Sequence, residues 1–456
     1  MTADSRINEP ETSLWQRAPL LLFLFLTAVF FVTSHDMFRN QFAAFRGVEE
    51  FNPSEEEALV LLAQYESGQW YKAATYLLLG GVSFLGMLAF SSIRPLAARG
   101  FYGRVVVFFF LWCVLSAVWS FEPAITANKL AIFVMLSLGA LFVAQRFRIQ
   151  DLLYFVILSS TLYLIAGVGS EVFWGSFRPW VSGYRFSGTI HPNGQGMNCA
   201  LMFLACVFAA ARPGEWRRQF LMLAVVALTF LVLTKSRTPF ALVFISLALY
   251  SLLWLPAALK ILLVAGAALL ACATPIFYPV LGPFIESVVQ MGRTETTLSH
   301  ATQLTGRTEL WNECWYFIQQ RPLLGWGYNS FWTAENTQDI AMQIDWYSGS
   351  AHSIYLDLWL GLGVFGMIAY IILLVGGLAY FGSKSMNTNE PAYAFAFVLL
   401  LFSIMHGAFE SAFLFPALYT FLVMVLLARC GFVEETDAEL EDSTEELSGK
   451  ALVAAR

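Results

Sequence analysis

Arg185, Lys235, Arg237, Arg307 and His352 are the side chains of this sequence best suited to hold an anion, and each lies beside a segment that opens a helix. Arg185 sits in the stretch from Tyr184 to Asn193, dense in turn formers and followed at once by an apolar run. Lys235-Ser236-Arg237-Thr238-Pro239 falls between two apolar runs, where a hydroxyl residue and a proline suit the first turn of a new helix. His352 follows Gly349-Ser350, and Thr305 to Trp311 reads as a capped helix start around Arg307, stopped by Arg321-Pro322 and Gly325. Helix N-termini offer unpaired N–H groups and the positive end of the macrodipole, and arginine adds a planar fork that matches phosphate oxygens. Brought to one place, these groups would bind a phosphate or diphosphate.

The elements that must position them are set by composition. The 456 residues are 58% hydrophobic, 16% aromatic and only 13% charged, with a mean hydropathy of +0.63. That leaves too little charge to cover a soluble globule, which excludes an ordinary cytosolic enzyme, a secreted domain and a disordered chain. The expected fold is an all-α integral membrane protein. The net charge of −6 is owed to eight acids between Glu434 and Glu446; the rest of the chain is slightly basic, and the acidic end reads as a solvated tail. The six cysteines form no CxxC pair and read as small hydrophobes, with no metal site.

Crossing a ~30 Å hydrocarbon core takes roughly 20 apolar residues. Twelve spans fit, near 18–33, 73–91, 105–119, 130–144, 152–173, 197–211, 219–234, 238–255, 261–280, 364–383, 392–409 and 414–429. The first reads as a retained helix, not a signal peptide. Arg94, Arg99 and Arg104, then Arg146 and Arg148, then Arg212, Arg217 and Arg218 mark three short loops on one side, the cytoplasmic one, with both termini. The chain then divides into nine spans in 1–280, a large outer loop with helices at 281–351, three spans in 352–430 and an acidic cytoplasmic tail at 431–456. Segments 34–72, 174–196 and 281–351 face outward, which in a Gram-negative cell is the periplasm, and the five anion-binding candidates face the same way. A lipid-linked diphosphate fits that position.

Each member also has a plainer reading. A single interfacial Arg commonly snorkels to headgroups. His191 and His406 suit local hydrogen bonding. Glu171 and Glu410 are near-membrane acids, functional by default or able to neutralise an arginine. Trp311, Trp315, Trp326, Trp332 and Trp346 could stack on sugar rings or form an interfacial belt. Segment 34–72, rich in glutamate, reads as a solvated helix.

His352-Ser353, followed after nine residues by Gly363-Val364-Phe365-Gly366, resembles the signature of O-antigen ligases without a gap. Ser236-Arg237 is similar to the ligase arginine motif, although the Leu expected four residues later is Ala241, with Leu242 one place on. Gly306-Arg307 with Trp311, and Pro322 to Gly327 after it, resemble the arginine helix of the large periplasmic loop. Arg185 with Gly188, Pro192 and Asn193 is similar to the loop before the middle helices of the ligase and polymerase superfamily.

The resemblance implies a GT-C-type glycosyltransferase of the bacterial inner membrane with a periplasmic site. It would move O-antigen polysaccharide from undecaprenyl diphosphate to a sugar hydroxyl of lipid A-core, without cofactor or nucleic acid. Arg185, Arg237 and Arg307 would stabilise the leaving diphosphate in place of a metal, since no DxD or paired carboxylates stand on the outer face. His352, an imidazole titrating near pH 6.5, would be the general base or bind the diphosphate as imidazolium. Lys235, Asn193, Ser353, Trp311 and Glu410 complete the expected substrate site. With no carboxylate nucleophile in view, a single inverting displacement is expected. An O-antigen polymerase, a protein oligosaccharyltransferase of the same superfamily and a lipid-linked glycan transporter are the rival readings; the transporter lacks a matching pair of Gly/Pro-broken helices.

Overall fold

A computed structural model describes residues 22–31, 70–89, 97–181, 183–263, 265–266, 303–344, 347–388 and 390–434. All regular structure among the described residues is helical, as expected. The apolar runs become α1 (Leu22–Phe31), α2 (Trp70–Ala89), α3 (Gly100–Leu115), α4 (Pro123–Arg146), α5 (Ile149–Phe173), α6 (Pro192–Ala211), α7 (Arg217–Leu233) and α8 (Arg237–Trp254). After them come α9 (Gln303–Gln320), α10 (Ala334–Ile344), α11 (Ile354–Thr388), α12 (Pro391–Gly407) and α13 (Leu418–Phe432). Among the described residues six helices are long and apolar enough to cross a membrane: α3 with its 3-10 extension to Val118, α4, α5, α6, α8 and α11. This is an all-helical integral membrane protein. Eleven of the twelve expected spans meet a described helix; most of the twelfth, 261–280, lies outside the described residues, as do residues 34–69 of the segment 34–72 and the tail beyond 434, while 70–72 open α2.

Burial sorts the helices. α12 and α13 are buried along most of their length, whereas α2, α3 and α8 present exposed apolar side chains such as Leu85, Leu111 and Ile245, the pattern of helices whose outer side meets lipid. α12 packs against α6, α8 and α11, while α13 packs against α3 and α4. At one end of the bundle, basic residues stitch helix ends together. The Arg429 guanidinium donates to the Phe147 carbonyl at 2.7 Å, Arg99 to the Val433 carbonyl at 2.7 Å, and Arg212 pairs with Glu390. α13 runs to Phe432, two residues past the boundary expected for the tail.

The largest departure from the expected spans is at α11, which begins at Ile354, ten residues ahead of the expected 364–383. Its 35 residues would make a straight rod of about 52 Å at 1.5 Å per residue, too long for one crossing. The helix is instead broken at Gly363, which has φ 69° and ψ −175°. The carbonyls released by the break find donors outside the helix: Trp326 N–H on Leu360 at 2.7 Å, Gly327 N–H on Gly361 at 2.8 Å and the Trp112 indole on Leu362 at 2.8 Å. In return the Val364 N–H donates to the Pro322 carbonyl at 3.0 Å. Irregular backbone at such depth persists only where protein satisfies it, and the segment from Pro322 to Gly327 does so. The glycine after nine residues in the His-Ser motif is thereby explained, because a Cβ at Gly363 would stand 1.9 Å from the Leu323 carbonyl oxygen. Gly363→Ala is expected to cost about 3 kcal/mol or more, from positive φ and overpacking together. A drop in the thermal midpoint of the detergent-solubilised protein would show it, and an unchanged midpoint would contradict the geometry.

Candidate active site

The stretch from Tyr184 to Asn193 is held against the bundle by a carboxylate. Glu171, near the end of α5 and buried, accepts from the Tyr184 hydroxyl at 2.5 Å, the Ser187 N–H at 2.9 Å, the Ser187 hydroxyl at 3.3 Å and the Gly188 N–H at 2.8 Å. Burial and this hydrogen bond raise the Tyr184 phenol above its ordinary pKa, keeping it a donor. The Glu171 side chain thus accepts from a tyrosine, a serine hydroxyl and two backbone N–H groups, and so shapes the loop that carries Arg185. Glu171→Gln exchanges one acceptor oxygen for a donor and is expected to cost roughly 1–3 kcal/mol locally. Faster amide exchange at 183–190 than in the wild type is the predicted signature, and unchanged exchange would reject it.

Arg185 emerges from that loop with its Nε on the Thr234 carbonyl at 3.0 Å and a terminal nitrogen on Asn193 Oδ1 at 2.9 Å. Phe186 N–H donates to the Leu233 carbonyl at 2.8 Å, so the loop is tied to the end of α7. His191 N-caps α6 by accepting the Asn193 N–H at Nδ1, 3.2 Å, the local role expected of it. Asn193 is therefore placed in the first turn of α6, where its Oδ1 also accepts the Ser236 hydroxyl at 3.3 Å.

Ser236 occupies the N-cap position of α8 but makes no side-chain cap bond; its hydroxyl is turned to Asn193, a correction to the capping role expected of it. Arg237 opens α8 directly after it. Lys235 bridges α7 and α8 in the left-handed region, φ 49°. In α8 Leu242 and Val243 are buried while Ala241 is exposed, so the leucine displaced by one place from the family pattern is the one that packs inward.

Glu410, just past α12, gathers the remaining candidates. Its Oε1 lies 3.3 Å from the Arg307 guanidinium and accepts the Asn193 amide at 3.5 Å; its Oε2 lies 3.3 Å from His352 Nδ1. Glu410, Arg307 and His352 are 17%, 19% and 28% exposed, shielded but reachable. Burial pushes the Glu410 carboxyl up, yet the hydrogen bond from His352 and the charges of His352 and Arg307 outweigh it and hold it below the usual carboxylate range. Glu410 thus pairs with an arginine, one of the two readings its position allowed, and that arginine is Arg307.

His352 has φ 48°, and with Lys235 and Asn329 it is one of three non-glycine residues at positive φ among those described. Such backbone costs on the order of 1–3 kcal/mol and persists where its surroundings over-determine it. Ser353 is buried next to it and its carbonyl accepts the Asp357 N–H at 3.0 Å, opening α11. The Trp311 indole donates to the Ala351 carbonyl at 2.9 Å, so this tryptophan braces the His352 turn. Arg307 itself is on α9, which begins at Gln303, two residues before the start expected at Thr305.

Other tryptophans also hold protein. The Arg321 guanidinium lies 4.6 Å from the Trp326 ring centroid, and the Trp332 indole donates to Asp357. His406 is buried and stacked on Phe402 at 5.2 Å, but its Nδ1 has no hydrogen-bond partner, contrary to the local bonding expected of it. Asp357 was not among the candidates read from the sequence; its signal was a lone acid five residues after His352 in an apolar stretch.

Arg185, Asn193, Ser236, Glu410, Arg307 and His352 therefore form one hydrogen-bonded chain, drawn from the ends of α5 to α9, α11 and α12. Arg237 and Lys235 adjoin it through Ser236. Among the described residues, no three His, Cys, Asp or Glu side chains gather as a metal would require. The described cysteines Cys113, Cys199, Cys206, Cys314 and Cys430 are free and buried. The cluster can bind an anion at its arginines and take a proton at the imidazole. No curated protein matches the chain. Residues 222–371 match the family model described as O-antigen ligase, a stretch that contains Arg237, Arg307 and His352 and excludes Arg185, Asn193 and Glu410. Across that stretch, about a third of its length, the chain is similar to the O-antigen ligase family.

Proposed function

We propose that the protein is an O-antigen ligase, a glycosyltransferase of the GT-C type with twelve spans, residing in the bacterial inner membrane. In this reading both termini are cytoplasmic and the cluster faces the periplasm, consistent with Arg99, Arg212 and Arg429 at the opposite helix ends. The donor is O-antigen polysaccharide on undecaprenyl diphosphate, and the acceptor is a sugar hydroxyl of lipid A-core. One observation carries the reading: an arginine and a histidine from separate elements are held on the same carboxylate, within hydrogen-bonding reach of a second arginine's partner.

The chemistry follows from those positions. With ionised Glu410 accepting the Nδ1 proton of His352, the imidazole is set in the tautomer whose Nε2 accepts a proton. His352 removes the proton of the acceptor hydroxyl as its oxygen attacks the anomeric carbon. The bond to the diphosphate oxygen breaks, and its electron pair becomes phosphate charge met by Arg185, Arg237 and Arg307. One displacement inverts the anomeric centre. Lys235 adds charge at the entrance, and Asn193 fixes the spacing between Arg185 and Glu410.

Purified protein, given synthetic undecaprenyl diphosphate-linked glycan and rough lipopolysaccharide with and without EDTA, tests this. Inverted glycan on lipid A-core, formed equally with chelator, is the expected result. Activity lost to EDTA and restored by Mg²⁺ would overturn metal independence, and a retained anomer would overturn the single displacement. Growth of the carrier-linked chain instead would identify a polymerase.

A further inference from the structure

Asp357 lies in the first turn of α11, five residues after His352, and is buried at 5% exposure. Its carboxylate gathers three separate parts of the chain. Oδ1 accepts the Trp332 indole N–H at 2.6 Å; the Ala351 N–H is shared between Oδ1 at 3.1 Å and Oδ2 at 3.2 Å; Oδ2 accepts the Ser411 hydroxyl. Ala351 immediately precedes His352, and Ser411 immediately follows Glu410. We infer that Asp357 is a positioning residue that sets the His352–Glu410 pair, because one buried carboxylate grips the chain directly beside each partner.

The geometry demands such a brace. His352 is held at positive φ, and the two peptides around Ala351 are each fixed from outside: the N–H of one by Asp357, the carbonyl of the other by the Trp311 indole. The 3.3 Å contact between Nδ1 and Oε2 joins two segments 58 residues apart, α11's start and α12's end, so its length is set by whatever ties those backbones together. Asp357 is hydrogen-bonded to both sides. Four acceptances need two acceptor oxygens, and asparagine has one; its amide nitrogen would confront a donor.

This inference rests on the ligase reading for its kinetic consequence only. Full-length protein in lipid vesicles is assayed for kcat and donor KM, and in parallel for the rate at which diethyl pyrocarbonate modifies His352, with exposed His191 as internal reference. Asp357→Asn is expected to lower kcat roughly 10²-fold, the scale of an ångström-sized misplacement, with donor KM little changed. His352 modification relative to His191 should shift several-fold. Ser411→Ala should move both readouts in the same direction, and Ser411→Thr, which keeps the hydroxyl, should restore both. A shifted His352 reactivity in a protein that transfers no glycan upholds the brace and discards the ligase reading. Normal kcat and normal His352 reactivity in Asp357→Asn overturn the brace and leave the ligase reading standing. A lower yield of folded protein with unchanged kcat per folded molecule and unchanged reactivity means a purely structural role and also overturns it. If Asp357→Asn does not fold, the Ser411 pair decides by the same criteria.

Discussion

Transfer by the His352→Ala protein is expected to fall by roughly 10²–10⁴-fold, the usual worth of a positioned general base. The loss should appear in kcat, because the methyl side chain leaves the arginines that hold the donor in place. Glu410 sharpens the prediction. Its carboxyl titrates below the usual range, so the pairing with His352 and Arg307 is fully present above the ordinary carboxylate pKa of about 4.3 and is lost as pH falls through the lower folded value. Across pH 6 to 8 Glu410 stays ionised, and a change in rate there reports the imidazole. A general base gives a rate that rises as the imidazole loses its proton; a diphosphate-binding imidazolium gives one that falls. Initial rates of glycan transfer from pH 5.5 to 8 separate the two, and a His352→Ala loss below about tenfold would place the base elsewhere.

Arg307→Ala is expected to remove about 2–4 kcal/mol of transition-state stabilisation, the scale of a deleted donor to developing negative charge. That is roughly 30- to 1,000-fold in kcat/KM. Arg307→Lys keeps the charge and loses the planar fork, so rescue should be partial. Because Arg307 also lies 3.3 Å from Glu410, its removal disturbs the carboxylate that orients His352. The Arg307→Ala and Glu410→Gln changes should therefore be non-additive in a double-mutant cycle. Arg185→Ala, at a residue that reaches Glu410 through Asn193, should combine more nearly additively with Glu410→Gln. Equal coupling for both arginines would show that the chain of hydrogen bonds does not describe the working site.

Much of this protein was legible before any coordinates. Hydrophobic runs of near-membrane length, separated by basic short loops, specify helices because backbone in lipid must satisfy its own hydrogen bonds. The runs read at 197–211 and 238–255 from composition and helix-opening residues became the helices that begin at Pro192 and Arg237. The arginines stood out because cations at the wrong ends of apolar runs need a reason to be there. What composition could not convey is pairing across long stretches of chain. That Glu410 meets Arg307 and His352, 103 and 58 residues away, depends on which helix ends packing brings together. Ser236 stands at the N-cap of its helix as its type suggests, but its hydroxyl donates to Asn193 on another helix, a contact that only tertiary packing sets. The break in α11 belongs to the same class: Gly363 is one glycine among 32, and only the segment from Pro322 to Gly327 supplying donors to the freed carbonyls makes a broken helix cheaper than a continuous one.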